Sequence, residues 1–325
     1  MTWLVTGGAG YIGAHVLIAF EKAGTPTVVL DNLSSGFRDF VPDGVAFVEG
    51  SITDADVVAR VLDEYPVRGV VHLAGVKYAG QSVRQPLHFF RENVVGMQVL
   101  MEAVMAHGID KFVLSSSASY YGTPDLDVVG ESQPANPQSP YGQSKVISEW
   151  LLRDCAVVNP ALRQTSLRYF NVVGSGPEMK ADHSPFNLFP MVFRALAAGE
   201  TPSINGADYP TPDGTCVRDY IHVVDLADAH VTAAQRLEAG LPTAPAYNVG
   251  RGQGSSVREV MSTIAEVTGI DFDPIVRARR PGDPARIVGS IEAIARDFDW
   301  QARHDLREMV ASAWAAWQDY LARTN

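Results

Sequence analysis

An apolar run, Trp3–Thr6, breaks into Gly7-Gly8-Ala9-Gly10-Tyr11-Ile12-Gly13, and an amphipathic stretch starts at once. A strand that turns straight into a helix uses glycine, which reaches backbone conformations closed to other residues and lets helix and strand pack closely. The first half repeats this alternation. Thr27–Leu30, Val45–Val48, Gly69–Leu73, Lys111–Ser115 and Thr165–Tyr169 read as strands, and Ile12–Ala23, Asp54–Tyr65, Asn93–His107 and Tyr141–Val157 as helices. Short β-rich runs separated by helices are joined by right-handed crossovers into a parallel sheet. The predicted class is α/β, a doubly wound Rossmann-type parallel sheet with a smaller C-terminal α/β lobe.

After about residue 171 the texture changes. Val173–Asp182 and Asn205–Cys216 are rich in loop-forming residues, and helices resume at Val223–Ala239, Ser256–Thr268 and Leu306–Ala322. Trp314, Trp317 and Leu321 share one face of the last helix, a packing stripe. With 46% hydrophobic and 19% charged residues the chain is globular, and its net charge of −11 argues against nucleic acid or an anionic membrane as partner. Cys155 and Cys216 form no CxxC pair and the eight histidines show no ligand spacing, so no disulfide framework and no metal site is expected. No basic segment precedes an apolar stretch at the start, and no run approaches membrane-spanning length; a soluble cytoplasmic protein is expected.

The glycines fall at positions one, four and seven from Gly7. Such a loop brings backbone N–H groups up to a pyrophosphate at the partly positive end of a helix. The second strand closes with Asp31, eighteen residues beyond Gly13, and an acid there suits the ribose hydroxyls of NAD and repels the extra phosphate of NADP. Either signal alone also fits an ordinary turn. Together they predict NAD, bound by residues 1–171 with later returning segments at about 215–250, and leave 172–325 mainly as a substrate-binding lobe.

Tyr141-Gly142-Gln143-Ser144-Lys145 opens a predicted helix after Pro137 and Pro140. The spacing of four puts phenol and ammonium on one helix face, where the lysine charge favours phenolate, as a general base for an alcohol requires. Many surface pairs share this spacing, so its neighbours matter. Ser115-Ser116-Ser117 ends a parallel strand at the edge where such sheets bind ligands, and Ser117 is placed to share a substrate oxygen with Tyr141.

These residues resemble the extended short-chain dehydrogenase/reductases and, within them, the UDP-glucose 4-epimerase family, over essentially the whole chain. Gly10–Gly13, Asp31-Asn32-Leu33, His72–Lys77, Glu92–Gly96, Leu167–Asn171 and Asp213–His222 carry the resemblance in the right order. It implies NAD contacts from Gly7, Gly10, Tyr11, Ile12, Gly13, Asp31, Asn32, Leu33, Ser34, Ser35, Gly36, Ser51, Ile52, Leu73, Ala74, Gly75, Val76, Lys77, Asn93, Ser117, Tyr141, Lys145, Tyr169 and Phe170. It implies substrate contacts from Lys77, Ser117, Tyr141, Asn171, Asn187, Leu188, Ile204, Asn205, Arg218, Arg280, Asp283 and Ile287. Ser117, Tyr141 and Lys145 would be catalytic. Arg218 and Arg280, expected on separate loops, would clamp a diphosphate with forked hydrogen bonds, and Asp283 would hold a ribose.

The implied reaction interconverts UDP-galactose and UDP-glucose in galactose metabolism. Tyr141 takes the proton of the 4-hydroxyl, hydride moves to NAD, the 4-keto sugar rotates, and hydride returns to its other face. Three positions depart from the family pattern. Ser51 stands where an acid often meets adenine, Ser203-Ile204-Asn205-Gly206 lacks an aromatic for the uracil, and Ile287 replaces a tyrosine that gates the sugar. A smaller gate would admit N-acetylated sugars. UDP-glucuronate, UDP-pentose or UDP-N-acetylhexosamine 4-epimerases are alternatives, as is a non-catalytic NAD-binding protein. A dehydratase would need an Asp-Glu pair where Ala118-Ser119 follows Ser117. The resemblance also implies a homodimer through the helices bearing Val94, Met97, Leu100, Met101, Val146, Ile147, Trp150 and Leu151, whose other use is the chain's own core.

Overall fold

The computed structural model describes residues 2–280 and 282–324; Pro281, within the expected Arg280–Asp283 segment, lies outside them. The N-terminal alternation runs β1 (Thr2–Thr6), α1 (Tyr11–Lys22), β2 (Thr27–Asp31), β3 (Ala46–Glu49), α2 (Ala55–Glu64) and β4 (Val67–His72). Two short helices, α3 (Ala79–Arg84) and α4 (Pro86–Phe90), and one π turn, Arg91–Val95, lead into α5 (Gly96–Ala106). Then come β5 (Lys111–Ser117), α6 (Pro140–Val158), β6 (Arg163–Tyr169), β7 (Asn171–Val173), α7 (Leu188–Ala197) and β8 (Ser203–Asn205). The chain closes with β9 (Val217–His222), α8 (Val223–Glu238), β10 (Ala246–Val249), β11 (Gly254–Ser256), α9 (Val257–Thr268), β12 (Ile275–Arg277), β13 (Arg286–Ile287), α10 (Glu292–Phe298) and α11 (Leu306–Thr324).

Seven strands make one parallel sheet in the order β3-β2-β1-β4-β5-β6-β10. The strand order reverses direction between β1 and β4, and ligands of such sheets bind in the crevice beyond the strand ends at that point. Alternate side chains of each strand feed opposite layers. Trp3, Val5 and Val29 pack with Leu17 and Phe20 of α1 and with Leu226, Ala233 and Leu237 of α8. Leu4, Val28, Leu30 and Phe112 pack with Val58 and Val61 of α2, Leu100 of α5 and Leu152 of α6.

A second apolar cluster joins α7, β8, α9 and α11 through Phe189, Phe193, Ile204, Ile264, Met309 and Trp317, with Trp314 and Leu321 packed against it. Beside it, β9 pairs antiparallel with β11 and parallel with β13 and β7, while β12 pairs parallel with β8. Of the stretch 215–250, α8 and β10 lie on the large sheet whereas β9 lies in the small one. The segment α10 to Trp300 also packs on the large sheet, through Ile294, Phe298 and Trp300.

Candidate functional site

The glycine loop has the geometry of a phosphate cradle. Gly7 is left-handed (φ +74°), and a Cβ there would stand 2.6 Å from the Ala74 nitrogen. At Gly13 it would stand 2.2 Å from the Gly7 carbonyl oxygen, so α1 seats against the loop only with glycine. Gly10 caps α1 without any side-chain hydrogen bond, and no acid occupies the first turn. The helix start therefore keeps free N–H groups and an unneutralised positive end, which fits a pyrophosphate. Asp31 is buried at the end of β2 and accepts from Ala9 N at 2.9 Å and Leu33 N at 2.8 Å. Burial pushes its carboxyl up while the two amides pull it down. One lone pair on each oxygen remains for a ribose.

The segment Asn32–Gly36 folds back on this loop. Leu33 has a positive φ of 55°, Ser34 N donates to Asn32 Oδ1 at 3.0 Å, and a Cβ on Gly36 would press on Ala9 at 2.8 Å. Past β3, the Ser51 hydroxyl is shared with Thr53 Oγ1 at 2.8 Å and Ile52 is buried against Gly96. Tyr11 turns its hydroxyl away to donate to Gly174 O at 2.6 Å, and Ile12 packs half-buried on the core.

Leu73–Lys77 follows β4, tied to β1 by Ala74 N donating to Thr6 Oγ1 at 3.4 Å. Asn93, from the π turn, accepts from Val76 N at 2.8 Å and donates to Val76 O at 3.0 Å and Ser144 Oγ at 2.9 Å. It is 3% exposed, so its amide shapes the loop and binds it to α6. Gly75, at φ +145°, leaves room for that amide: a Cβ would lie 2.8 Å from Asn93 Oδ1.

The three expected catalytic side chains gather at the ends of β5 and α6. The strand runs two residues further than the β-propensities of its serines predict, because Ser115, Ser116 and Ser117 pair with Leu167, Arg168 and Tyr169. Ser117 therefore ends a strand, and its hydroxyl accepts from Ser119 N at 3.1 Å. Ser139 caps α6 through Gly142 N at 3.2 Å, which starts the helix just ahead of Tyr141. Both Tyr141 and Lys145 are buried. Burial pushes the Tyr141 phenol up and the Ser117 hydroxyl beside it opposes that shift. Lys145 does not reach the phenol but donates to Ser115 O at 2.9 Å, and burial brings its ammonium down to about 8. Tyr169, pushed up by burial, lies close to both Ser115 and Tyr141.

Phe170 belongs to a small apolar cluster with Ala118, Tyr121, Val129 and Ile287. Ile287 pairs in register with Arg218, so this cluster joins the Ser117 turn to the small sheet. Arg218 stands on β9 and not on a loop, and it donates to Asp283 Oδ1 at 3.4 Å. With its amide oxygen turned to Arg280, Asn205 accepts from Arg280 Nε at 3.1 Å and Nη2 at 3.3 Å. The two arginines thus each carry a partner from the expected set. Asn171, exposed on β7, bonds Tyr220 of β9. Asn187 precedes α7, whose first residue is Leu188. The Ile204 side chain is 1% exposed inside the small-lobe core, so only its backbone is open to a substrate.

Asp182 is the residue that sequence reading missed. It accepts from Asn187 Nδ2 at 2.7 Å and lies 3.9 Å from Lys77 Nζ, so it stands between Lys77, expected to meet cofactor and substrate, and Asn187, expected to meet substrate. It sits in a loop without periodicity, and no local signal marks it. Asp219 is also buried, accepting from Arg251 N, Gly252 N and Gly289 N at 2.8–3.3 Å; burial still lifts it to about 6. Among the described residues no cluster of His, Cys, Asp or Glu is placed to hold a metal ion, and no helix is long and apolar enough to cross a membrane.

Known proteins resemble the chain over its length. Residues 3–250 match the model of the NAD dependent epimerase/dehydratase family. A UDP-glucose 4-epimerase of Azospirillum brasilense is 41% identical, covering 99% of this chain and 93% of that protein, and one of Bacillus subtilis is 38% identical, covering 98% and 97%. The solved UDP-glucose 4-epimerase of Stenotrophomonas maltophila, with bound NAD and formylated UDP-arabinopyranose, is 35% identical and superposes with a TM-score of 0.94 over 100% of both chains. The UDP-Glc/GlcNAc 4-epimerase of Campylobacter jejuni is also 35% identical, with a TM-score of 0.85 over 98% and 99%. The chain therefore belongs to the NAD-dependent epimerase/dehydratase family.

Proposed function

We propose that the chain interconverts UDP-galactose and UDP-glucose by inverting sugar carbon 4 through a transient 4-keto sugar. The observation that carries this reading is the cluster joining Ala118 and Phe170 to Ile287, the register partner of Arg218. This packing supports a reading in which Arg218 anchors a diphosphate near a Ser117–Tyr141 pair that handles the sugar alcohol. The glycine cradle and Asp31 would hold NAD, which would supply a reversible hydride acceptor at carbon 4.

The chain's own residues do the rest. Tyr141 as phenolate takes the 4-hydroxyl proton and later gives it back, Ser117 holds the same oxygen, and Lys145 sets the local positive charge. Arg218 and Arg280 hold the diphosphate, while Asp283, Asn187, Leu188 and Asn205 hold the nucleoside end. A firmly gripped nucleotide and a loosely held sugar let the keto sugar turn over between the two hydrogen transfers. We assign the cofactor to residues 1–171 and the substrate mainly to 172–325.

UDP-galactose labelled with deuterium at carbon 4 tests the reaction: UDP-glucose should form with the label kept at that carbon. Loss of label to water, or no UDP-glucose, would contradict it. Ile287 favours a second substrate class, because a tyrosine ring is replaced by a short side chain where the sugar would lie; UDP-N-acetylglucosamine should also turn over.

The working form is a homodimer in the cytoplasm, where NAD and soluble nucleotide sugars meet. Met97, Leu100, Met101 and Val146 are spent on the chain's own core. Leu87, Val95 and Trp150, from the adjoining α4, π turn and α6, are 83%, 45% and 47% exposed and give a partner an apolar surface.

A further inference from the structure

Glu149 and Arg168 make a buried ion pair that neither binds cofactor nor substrate in the account above. Their side chains are 8% and 6% exposed. Arg168 Nε donates to Glu149 Oε1 at 2.9 Å and Nη2 to Oε2 at 2.6 Å, a forked contact, and Ser116 Oγ donates to the same carboxylate at 2.5 Å. The remaining arginine nitrogen donates to Tyr121 OH at 3.1 Å and to Glu131 O at 3.2 Å. The guanidinium lies 3.5 Å from the centre of the Tyr120 ring. Burying such a pair brings little net stability, and a hydrophobic replacement of both is often as stable. Its position explains it better. Glu149 stands one helical turn beyond Lys145, itself one turn beyond Tyr141. Ser116 and Arg168 are register partners, each one residue from Ser117 and Tyr169. Tyr120 and Tyr121 belong to the turn that leaves Ser117.

We propose that the Glu149–Arg168 pair is a positioning element of the Ser117–Tyr141–Lys145 site, with Glu149 supplying the negative charge that faces the Lys145 ammonium and Arg168 locking both strand ends and the Ser117 turn to α6. The inference rests on the reading of Tyr141 and Lys145 as the acid–base pair. The titratable groups around Lys145 are Tyr141 and Glu149 on α6, His72 at the end of β4, and Arg168 and Tyr169 on β6. Burial holds His72 near 3, hence neutral, and pushes Tyr169 up, hence protonated. Glu149 is the carboxylate of this set, held in its forked pair with Arg168 one helical turn from Lys145. It raises Lys145 against the burial that lowers it to about 8.

The test is turnover of UDP-galactose against pH for the NAD-loaded parent, Glu149→Gln and Glu149→Asp. In Glu149→Gln the amide keeps the shape but not the charge, and Arg168 is left as an unpaired cation; the alkaline limb should move down by about one unit or more. Glu149→Asp restores the charge and should restore the limb, with turnover still reduced. If Glu149→Gln fails to fold, the double change Glu149→Gln with Arg168→Gln replaces the ion pair by two amides, and its limb should also move down. A folded variant of either kind whose limb superimposes on that of the parent overturns the inference. A parent that does not epimerise UDP-galactose overturns the underlying reading instead.

Discussion

Gly10 and Gly13 separate cofactor binding from folding. A Cβ at Gly13 would lie 2.2 Å from the Gly7 oxygen and 2.7 Å from Gly8 Cα. Ordinary contact is about 3.5 Å, so α1 must shift by roughly 1 Å away from the loop. Overpacking costs about 1–3 kcal/mol, here about 2–3 because the clash is with backbone, offset by the ~1 kcal/mol that alanine gains over glycine inside a helix. Gly13→Ala should therefore lose about 1–2 kcal/mol of stability and also spoil the cradle. Gly10 differs. Its φ of −77° and ψ of 168° suit any residue, and its Cβ would meet only the Gly7 oxygen, at 3.3 Å. Gly10→Ala should fold within about 1 kcal/mol of the parent, since an alanine N-cap is only modestly worse. Yet a methyl group at the open end of α1 keeps a pyrophosphate off the backbone N–H groups. Affinity for NAD should fall at least about tenfold, or ~1.4 kcal/mol. Urea unfolding followed by tryptophan fluorescence without added cofactor gives the stabilities, and calorimetric titration of cofactor-free protein gives the affinities. A Gly10→Ala protein that binds NAD like the parent, or a Gly13→Ala protein as stable as the parent, would refute the cradle argument.

Tyr141→Phe removes the acid–base hydroxyl, so turnover of UDP-galactose should drop by about 10²–10⁴-fold while bound NAD is retained; steady-state kinetics on the purified variant would show it. Ile287→Tyr should abolish turnover of UDP-N-acetylglucosamine and spare UDP-galactose in a side-by-side assay. Trp150→Glu should shift sedimentation toward the monomer at micromolar concentration with the fold intact by circular dichroism. His15, His222 and His230 are buried neutral and held near 4, and His72 near 3. The unfolded chain takes up these protons near pH 6.5, so stability is full above that value and falls as pH drops toward 4, at about 1.4 kcal/mol per pH unit for each group. Urea midpoints at pH 7.5 and 5 should differ accordingly; equal midpoints would contradict the burial of these rings.

The parallel sheet was legible because its strands are apolar and its first turn is rich in glycine, whereas the strand order and the edge strand β10 came only from the structure. The small lobe was less so. Strands β8 and β12 are three residues each, too short to show a period, and α7 begins in a loop-like sequence with no side-chain cap. Tyr141, Lys145 and Ser117 could be picked out by spacing and strand ends. What Lys145 touches could not, since its partner Ser115 is brought to it by the packing of α6 on β5. That the Ile204 side chain is buried could not be read, because a three-residue strand does not reveal which face it buries. Asp182 and Asn93 act through contacts 5 to 105 residues away, and such contacts leave no mark on local sequence.

The proposed reaction needs no external oxidant or reductant. The protein as purified, with no NAD added, should be incubated with UDP-galactose and the nucleotide sugars resolved by chromatography and proton NMR. UDP-glucose should accumulate to a constant ratio approached equally from either sugar. Bound NAD with no interconversion of the two sugars would contradict it.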